Sequence, residues 1–182
     1  RKYLEEHCII QTLQVETIIP SKKDKSVKIL FRTHDNHFIE TVSMIDGHRH
    51  TVCLSSQVGC ALDCSFCATG QQGFKRNLST GEIVDQLIFV RGNIDQSVTN
   101  VVFMGMGEPF HNYKNVLNAA DIFHSPKGFN LASTRITIST AGLLPQIKQF
   151  ITEKRRYKLA ISLNATDDRV RNNIMPVNKK WP

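Results

Sequence analysis

The chain has 182 residues, of which 41% are hydrophobic and 21% are charged, proportions that are typical of a globular protein with a buried core. No apolar stretch approaches the roughly 20 residues that a membrane helix needs, and the charged first residues do not form a signal peptide. The 23 Lys and Arg residues outnumber the 16 Asp and Glu residues, and the net charge of +7 favours polyanionic partners. More often, however, such charges only cover a solvated surface. Because the chain has no apolar stretch of the length that a membrane helix needs, we expect no membrane partner.

The five cysteines are unevenly distributed along the chain. Cys8 stands apart, whereas Cys53, Cys60, Cys64 and Cys67 lie in one short stretch. An odd, clustered set of thiols in a chain without an export signal does not fit the disulfide framework of a secreted protein. It indicates metal or redox chemistry in a reducing compartment, so we expect a cytoplasmic location.

The first 50 residues are rich in β-branched and aromatic side chains. Three such runs, separated by polar turn material, predict strands over residues 9–20, 27–33 and 37–45. The short connections between them favour an antiparallel meander that ends at a turn of Asp46 and Gly47. We therefore predict a small β-rich extension over residues 1–50.

Strands and helices alternate from residue 51 onwards. A capping box of Ser79 and Glu82 predicts the start of one helix, whose apolar face includes Ile88. Two further helices are predicted over residues 113–124 and 143–152. Apolar runs predict strands over residues 51–57, 100–106, 135–140 and 158–163.

This alternation predicts right-handed crossovers and a parallel sheet with outer helices. In such sheets and barrels, ligands bind at the carboxyl ends of the strands. Four parallel strands are too few to close a barrel. We therefore expect residues 51–182 to form an incomplete core that belongs to a longer protein.

Cys60, Cys64 and Cys67 form a Cys-x-x-x-Cys-x-x-Cys loop. Thiolates are soft ligands that suit iron–sulfur clusters or zinc. Three thiolates from one loop can bind three irons of a cubane cluster, which leaves the fourth iron open to a ligand with amino and carboxylate groups. We expect Phe66 to pack beside such a cluster and keep water away, because burial tunes the cluster's potential.

A structural zinc site is the alternative interpretation of the same loop, and it requires a fourth ligand. The candidates for that ligand are His48, His50 and Cys53.

The segment from Cys60 to Cys67, with the aromatic Phe66 before its last cysteine, resembles the radical S-adenosylmethionine signature. The wider block of residues 53–60, followed by residues 68–70, resembles the RlmN/Cfr family of rRNA methyltransferases specifically, and RlmN most closely. This resemblance covers residues 37–182 and continues through motifs at residues 105–109, 138–140, 161–163 and 175–180. The resemblance implies an α/β fold, namely a partial radical SAM (β/α) barrel with parallel strands and outer helices, preceded by the small antiparallel β-rich extension. It also implies a [4Fe-4S] cluster on Cys60, Cys64 and Cys67.

The resemblance further implies contacts to S-adenosylmethionine. Gly107 and Glu108 would hold its amino group, which agrees with glycines that allow close approach and a carboxylate that accepts from an ammonium group. The remaining contacts implied at strand ends are Ser139, Ser162, Leu163 and Asn164. Serines at strand ends more often only cap the backbone. Related sequences usually have His where this chain has Asn164. Asparagine keeps both a donor and an acceptor, so we expect binding to persist without the pH-sensitive role that an imidazole could have.

By the same resemblance, the reaction methylates carbon 2 of an adenine in 23S rRNA, or in tRNA, through a methyl-cysteine intermediate. Cys53 matches the resolving cysteine and Glu40 the proton acceptor at the adenine. The methyl-carrying cysteine has no counterpart in this chain. RNA rather than DNA is the expected partner, together with an electron donor such as flavodoxin. Without the resemblance, Cys53 would be interpreted as a small buried side chain and Glu40 as a solvent-facing one.

Two other functions fit the same motifs. The first is a Cfr-like enzyme that methylates carbon 8 of the adenine, although Pro109 favours the RlmN type. The second is a non-catalytic iron–sulfur module that binds RNA.

Overall fold

A computed structural model describes residues 11–182, so Cys8 and the start of the first predicted strand lie outside the described residues. The main sheet has seven strands in the order β1-β2-β3-β4-β7-β8-β9. Their bounds are Leu13–Pro20 (β1), Val27–Thr33 (β2), Phe38–Asp46 (β3), Arg49–Cys53 (β4), Asn100–Phe103 (β7), Ile136–Thr140 (β8) and Lys158–Ile161 (β9).

The first three strands form the predicted antiparallel meander, and β3 also pairs antiparallel with β4. Alternate residues of β2 and β3, such as Ile29, Phe31 and Ile39, are buried on one face. The opposite face is only half-buried, as expected for a sheet that is covered on one side.

The strands β4, β7, β8 and β9 pair in parallel, which confirms the predicted parallel sheet. The helices are α1 (Ala68–Gln71), α2 (Thr80–Asn93), α3 (Tyr113–His124), α4 (Leu144–Thr152) and α5 (Asp168–Ile174). The fold class predicted from the sequence, a partial α/β barrel behind an antiparallel extension, is therefore confirmed. The sheet is continuous from β3 to β4, and the division into residues 1–50 and 51–182 stays a prediction.

Helix α2 begins at the predicted capping box. The Ser79 hydroxyl accepts from the Glu82 amide at 3.2 Å, and the Glu82 carboxylate accepts from the Ser79 amide at 2.8 Å. The helix buries Ile83 and Leu87 against the sheet, but Ile88 is 45% exposed, so its predicted burial is wrong. Two helical neighbours point about 100° apart, and only Leu87 faces the core.

The predicted strand over residues 51–57 is wrong in its bounds, because the strand observed there, β4, ends at Cys53. The next residues leave the sheet. The Ser55 amide donates to the Gln86 side chain of α2 at 2.9 Å, and the Ser56 amide donates to the Met106 carbonyl at 2.8 Å. Similarly, β7 ends at Phe103 and β9 at Ile161, two or three residues before the predicted ends. The loops at the carboxyl ends are longer than predicted.

The core lies between the sheet and its helices. Phe103 of β7 and Phe123 of α3 are both fully buried, with ring centroids 6.2 Å apart. Phe110 stands between Tyr113 and Phe150 of α4, which fixes the loop after β7 against the helices. Across residues 11–182, no helix combines the length and the apolar character that a membrane crossing requires.

Candidate functional site

The cysteine loop is carried by a small hairpin outside the main sheet. Its strands are β5 (Gln57–Gly59) and β6 (Phe74–Asn77), which pair antiparallel. Gly59 has a φ of +72°, and a Cβ added there would lie 1.8 Å from the Gly73 carbonyl oxygen. That carbonyl accepts from the Cys60 amide at 3.2 Å. The two ends of the loop are therefore held together at a point where only glycine fits.

Within the loop, the three cysteines are brought close to one another. Cys60 and Cys64 are buried and Cys67 is half-buried, and all three are free thiols. The Cys67 amide donates to the Cys64 carbonyl at 3.0 Å, so the chain turns tightly between these two residues. Gly70 of α1 packs on this turn, since a Cβ there would lie 3.2 Å from the Cys64 amide nitrogen.

A cavity of about 420 Å³ lies between the loop and the carboxyl ends of the parallel strands. The three cysteines line one side of it. The lining residues on the strand ends and the following loops include Met104, Gly107, Glu108, Ser139, Ser162, Asn164 and Met175. The predicted cluster ligands and most of the predicted cofactor contacts therefore share one cavity. Leu163 is not in the lining and is 54% exposed.

Glu108 is buried in the wall of this cavity, with 4% of its surface exposed. One carboxylate oxygen accepts from the Phe110 amide at 3.0 Å and the other from the Ala141 amide at 2.8 Å. Burial raises the pKa of Glu108 above its usual value, and the backbone hydrogen bonds partly offset this. Each oxygen keeps a second lone pair that can accept from a bound ammonium group. Glu108 can therefore bind a ligand while it ties the loop after β7 to the end of β8.

The ends of β8 and β9 present hydroxyl and amide groups to the cavity. Ser139 and Ser162 have their hydroxyl oxygens 3.3 Å apart. Asn164 has a φ of +57°, a conformation that asparagine adopts more readily than most residues, and its amide nitrogen lies 3.1 Å from the Met175 sulfur. Neither serine acts as a helix cap here, because no helix begins at either residue.

The sequence matches known proteins along nearly its whole length. A family model described as the radical SAM superfamily matches residues 54–181. The chain belongs to this superfamily. Among radical SAM relatives, a "probable dual-specificity RNA methyltransferase RlmN" of Aquifex aeolicus is 44% identical over 182 residues, or 98% of this chain and 52% of the relative. A protein of the same description from Leptospira interrogans is 45% identical, and the match covers all of this chain and 52% of that protein.

The solved structure of "a radical SAM methyltransferase from Sphaerobacter thermophilus" superposes on this chain with a TM-score of 0.95 and is 41% identical in sequence. The superposition covers all of this chain and 54% of the Sphaerobacter thermophilus chain. The chain therefore spans about half the length of the proteins it matches. These comparisons confirm the resemblance to RlmN that was predicted from the motifs.

The radical SAM cysteines form a donor set that suits a cationic cluster. Burial, together with like-charge repulsion from the neighbouring Cys60 and Cys67, raises the pKa of Cys64 to about 11. Burial likewise raises the pKa of Cys60. Three thiolates this close are unfavourable alone, and irons bound to them would neutralise their charge. Soft sulfur ligands facing a roomy cavity thus fit an iron–sulfur cluster.

Phe66 lines the cavity together with the three cysteines, which is where a side chain that packs beside a cluster would lie, and it is 58% exposed. The expectation that it keeps water away from a cluster stays a prediction.

The zinc alternative gains no support from its proposed fourth ligands. None of the three candidates, His48, His50 and Cys53, is among the residues that line the cavity with the cysteine loop. His50 is buried on β4, where its Nε2 atom lies 2.7 Å from the Ser43 hydroxyl. His48 lies in the exposed β3–β4 turn. Within the described part of the chain, no three His, Cys, Asp or Glu side chains converge as a single metal ion would require.

Cys53 and Glu40 lie outside the cavity lining, on the half-buried face of the sheet. Val42 of β3 pairs with Cys53 of β4, and Glu40 is two residues from Val42, so all three side chains point to the same face. Burial raises the pKa of the Cys53 thiol, and a backbone hydrogen bond to Met104 partly offsets this. Glu40 forms an ion pair with Lys28 at 3.0 Å. Cys53 therefore contacts the cavity wall indirectly, because the Met104 backbone bonds to its thiol and Met104 lines the cavity.

Sequence reasoning missed two residues of the site. Met175 lines the cavity and is otherwise buried, and Arg171 lies directly behind the ends of β8 and β9. The family motif at residues 175–180 could have indicated the first. Nothing in the local pattern could have indicated the second, because Arg171 stands in a charged stretch that is typical of an exposed helix.

Proposed function

We propose that this chain is the cofactor-binding part of an RlmN-type RNA methyltransferase that acts on carbon 2 of an adenine in 23S rRNA or tRNA. The observation that carries the proposal is the shared cavity, in which three free cysteines of one loop face the polar carboxyl ends of parallel strands. The relatives described as dual-specificity RNA methyltransferases support the choice of RNA as substrate.

Cys60, Cys64 and Cys67 would bind a [4Fe-4S] cluster, and the fourth iron would face the cavity. Such a cluster supplies one-electron reduction chemistry, and S-adenosylmethionine supplies the methyl group. The chain's own contribution is to hold the three thiolates on a loop that Gly59 and Gly73 keep closed. An electron donor such as flavodoxin and a cytoplasmic location belong to this proposal.

The strand ends would bind S-adenosylmethionine. Glu108 would accept from its amino group, since the carboxylate is buried and its backbone bonds fix its direction. Gly107 has a φ of +96°, and an added Cβ would lie 2.5 Å from the Gln57 side chain, so only glycine fits at this point of the cavity wall. Ser139 and Ser162 offer hydroxyls, while Leu163 and Asn164 would contact the cofactor from the loop after β9.

Glu40 and Cys53 would act on the substrate side. Glu40 is 43% exposed and its ion pair with Lys28 is solvent-accessible, so the carboxylate remains available as a proton acceptor for an adenine. Cys53 would be the resolving cysteine, and its partner, the methyl-carrying cysteine, would come from a part of the protein outside this chain. Because the two side chains share one face of the sheet, a single base could reach both.

The test is mass spectrometry of adenosines from the rRNA and tRNA of cells that lack the full gene. We expect 2-methyladenosine to be lost, to return with the wild-type gene or a Cys8→Ala variant, and to stay absent with Cys64→Ala. Cys8 is the matched control because it lies outside the loop. Unchanged 2-methyladenosine after deletion would refute the proposal, and loss of 8-methyladenosine instead would assign the Cfr-like reaction.

A further inference from the structure

Arg171 is an arginine buried at the back of the cavity. It belongs to α5, and only 7% of its surface is exposed. Its guanidinium donates to the Leu163 carbonyl at 3.0 Å, to the Ala141 carbonyl at 2.7 Å and to the Ser162 carbonyl at 3.3 Å. It also donates to the side-chain oxygen of Asn178. One side chain therefore joins the ends of β8 and β9 to the segment that follows them.

All four acceptors of Arg171 are neutral. Burying a charge costs free energy unless it is paired, and neutral oxygens compensate for that cost less well than a carboxylate does. The nearest acidic connection runs through Asn178, whose amide donates to Asp168 at 3.0 Å. An arrangement of this kind is a poor way to stabilise a fold. It does, however, hold three carbonyls around one guanidinium, which is rigid and planar.

Two of the three carbonyls that Arg171 binds, those of Ala141 and Ser162, belong to residues in the wall of the proposed cofactor site. Ala141 is held from both sides, because its amide donates to Glu108 and its carbonyl accepts from Arg171. Ser162 and Ala141 both line the cavity. The positions of Glu108 and of the two strand ends are therefore coupled through a single residue, Ala141.

We infer that Arg171 is a positioning residue for S-adenosylmethionine: it holds Ala141, Ser162 and Leu163 so that Glu108 and the strand ends meet the cofactor in the correct geometry. The inference rests on the proposed function for the identity of the ligand. Arg171 itself does not line the cavity, so it acts only through the residues it binds. Helix α5 does contact the cysteine loop, since the Ser65 amide donates to the Ile174 carbonyl at 3.0 Å, but this bond joins two backbones. The Arg171 side chain itself makes no hydrogen bond to any of the three cysteines.

The experiment compares Arg171→Lys and Arg171→Met with the wild type in the full natural protein, reconstituted anaerobically with iron and sulfide. Lysine keeps the charge but lacks the planar fork, whereas methionine keeps only the volume. We expect the dissociation constant for S-adenosylmethionine, measured by equilibrium dialysis, to rise at least about 10-fold in both variants, as is common when a supporting residue of a site is removed. Iron and sulfide content per folded chain should be unchanged.

Arg155→Lys is the matched control. Arg155 also donates to two side chains, to Glu153 at 2.7 Å and to Asp121 at 3.3 Å, but these residues neither line the cavity nor belong to the hairpin that carries the cysteine loop. Its replacement should leave the affinity for S-adenosylmethionine within twofold of the wild type. If Arg171→Met does not fold, Asn178→Ala removes one acceptor of Arg171 and should weaken binding by a smaller factor.

The inference is overturned if Arg171→Lys binds S-adenosylmethionine as tightly as the wild type, or if affinity falls only in step with lost iron. The latter result would indicate a purely structural role. Failure of the proposed function looks different, since the wild type itself would then bind no S-adenosylmethionine after reconstitution.

Discussion

Replacing Gly59 with alanine should disrupt the hairpin that carries the cysteine loop. Gly59 has a φ of +72°, and an alanine Cβ would lie 1.8 Å from the Gly73 carbonyl oxygen. That oxygen accepts the Cys60 amide hydrogen bond, so the clash falls on the bond that closes the loop. The carbonyl must move by more than 1 Å to reach the distance of about 3 Å that real side chains keep.

The expected loss of stability has two parts. A left-handed backbone conformation costs a non-glycine residue about 1–2 kcal/mol. Displacing the Gly73 carbonyl leaves the Cys60 amide without its acceptor, and an unsatisfied buried group costs about 1–3 kcal/mol. We therefore expect Gly59→Ala to lower the free energy of unfolding by about 3 kcal/mol and to lower the iron content after reconstitution.

Gly47→Ala is the control that separates the clash from the backbone conformation. Gly47 has a φ of +55°, but nothing lies within 4 Å of an added Cβ. Its replacement should cost only about 1–2 kcal/mol and leave the iron content unchanged. Urea unfolding and iron analysis of both variants measure the difference. If Gly59→Ala costs no more than Gly47→Ala and keeps its iron, the loop is not closed as described.

Three further predictions concern the N-terminus of α2. Arg76→Ala removes the partner of the buried Glu82 and should lower the free energy of unfolding by about 3 kcal/mol. This is the lower end for a broken buried ion pair, because the Arg76 side chain is 26% exposed. A loss below about 1 kcal/mol in chemical unfolding would contradict this. The hydrogen bond from Arg76 holds the pKa of Asp35 well below its usual 3.8. Burial alone would raise the pKa of Glu82, but hydrogen bonds from Arg76 and Ser79 lower it below 4.5. Since both carboxylates have lowered pKa values in the folded state, the stability that they contribute is present above pH 4.5 and should be lost as the pH falls through the folded-state values. If the free energy of unfolding of the wild type falls with acid no more steeply than that of Arg76→Ala, this prediction is wrong. Ser79→Ala removes the cap and should cost about 1 kcal/mol in thermal unfolding, whereas Ser79→Asp should keep most of it.

Local sequence patterns predicted those helices and strands whose apolar residues recur at a constant spacing. Helix α3 was predicted over the bounds Tyr113–His124 because its apolar residues recur at helical spacing. The hairpin of β5 and β6 was not predicted, since its strands have three and four residues and are separated by the whole cysteine loop. The end of β4 was also missed. Whether Ser55 stays in the sheet depends on Gln86, which is distant in sequence. The Gln86 side chain accepts from the Ser55 amide and donates to the Ser55 carbonyl.

The sequence motifs also predicted which residues gather at the cavity, because cysteine spacing and strand ends are local features. They could not predict the supporting contacts. Glu108 was expected as a ligand for the cofactor, but its bond to Ala141 joins residues 33 positions apart. Arg171 lies among charged neighbours and has no pattern that distinguishes it from an exposed residue. Only the three-dimensional structure brings its guanidinium to the carbonyls of two strands.

The central claim is that three thiolates bind a cluster with one iron open to S-adenosylmethionine. The most direct measurement is iron and sulfide analysis with electron paramagnetic resonance of the anaerobically reconstituted, reduced protein. We predict about four iron and four sulfide ions per chain, and a spectrum that changes when S-adenosylmethionine is added. One equivalent of zinc without sulfide, or a cluster whose spectrum ignores S-adenosylmethionine, would contradict the account.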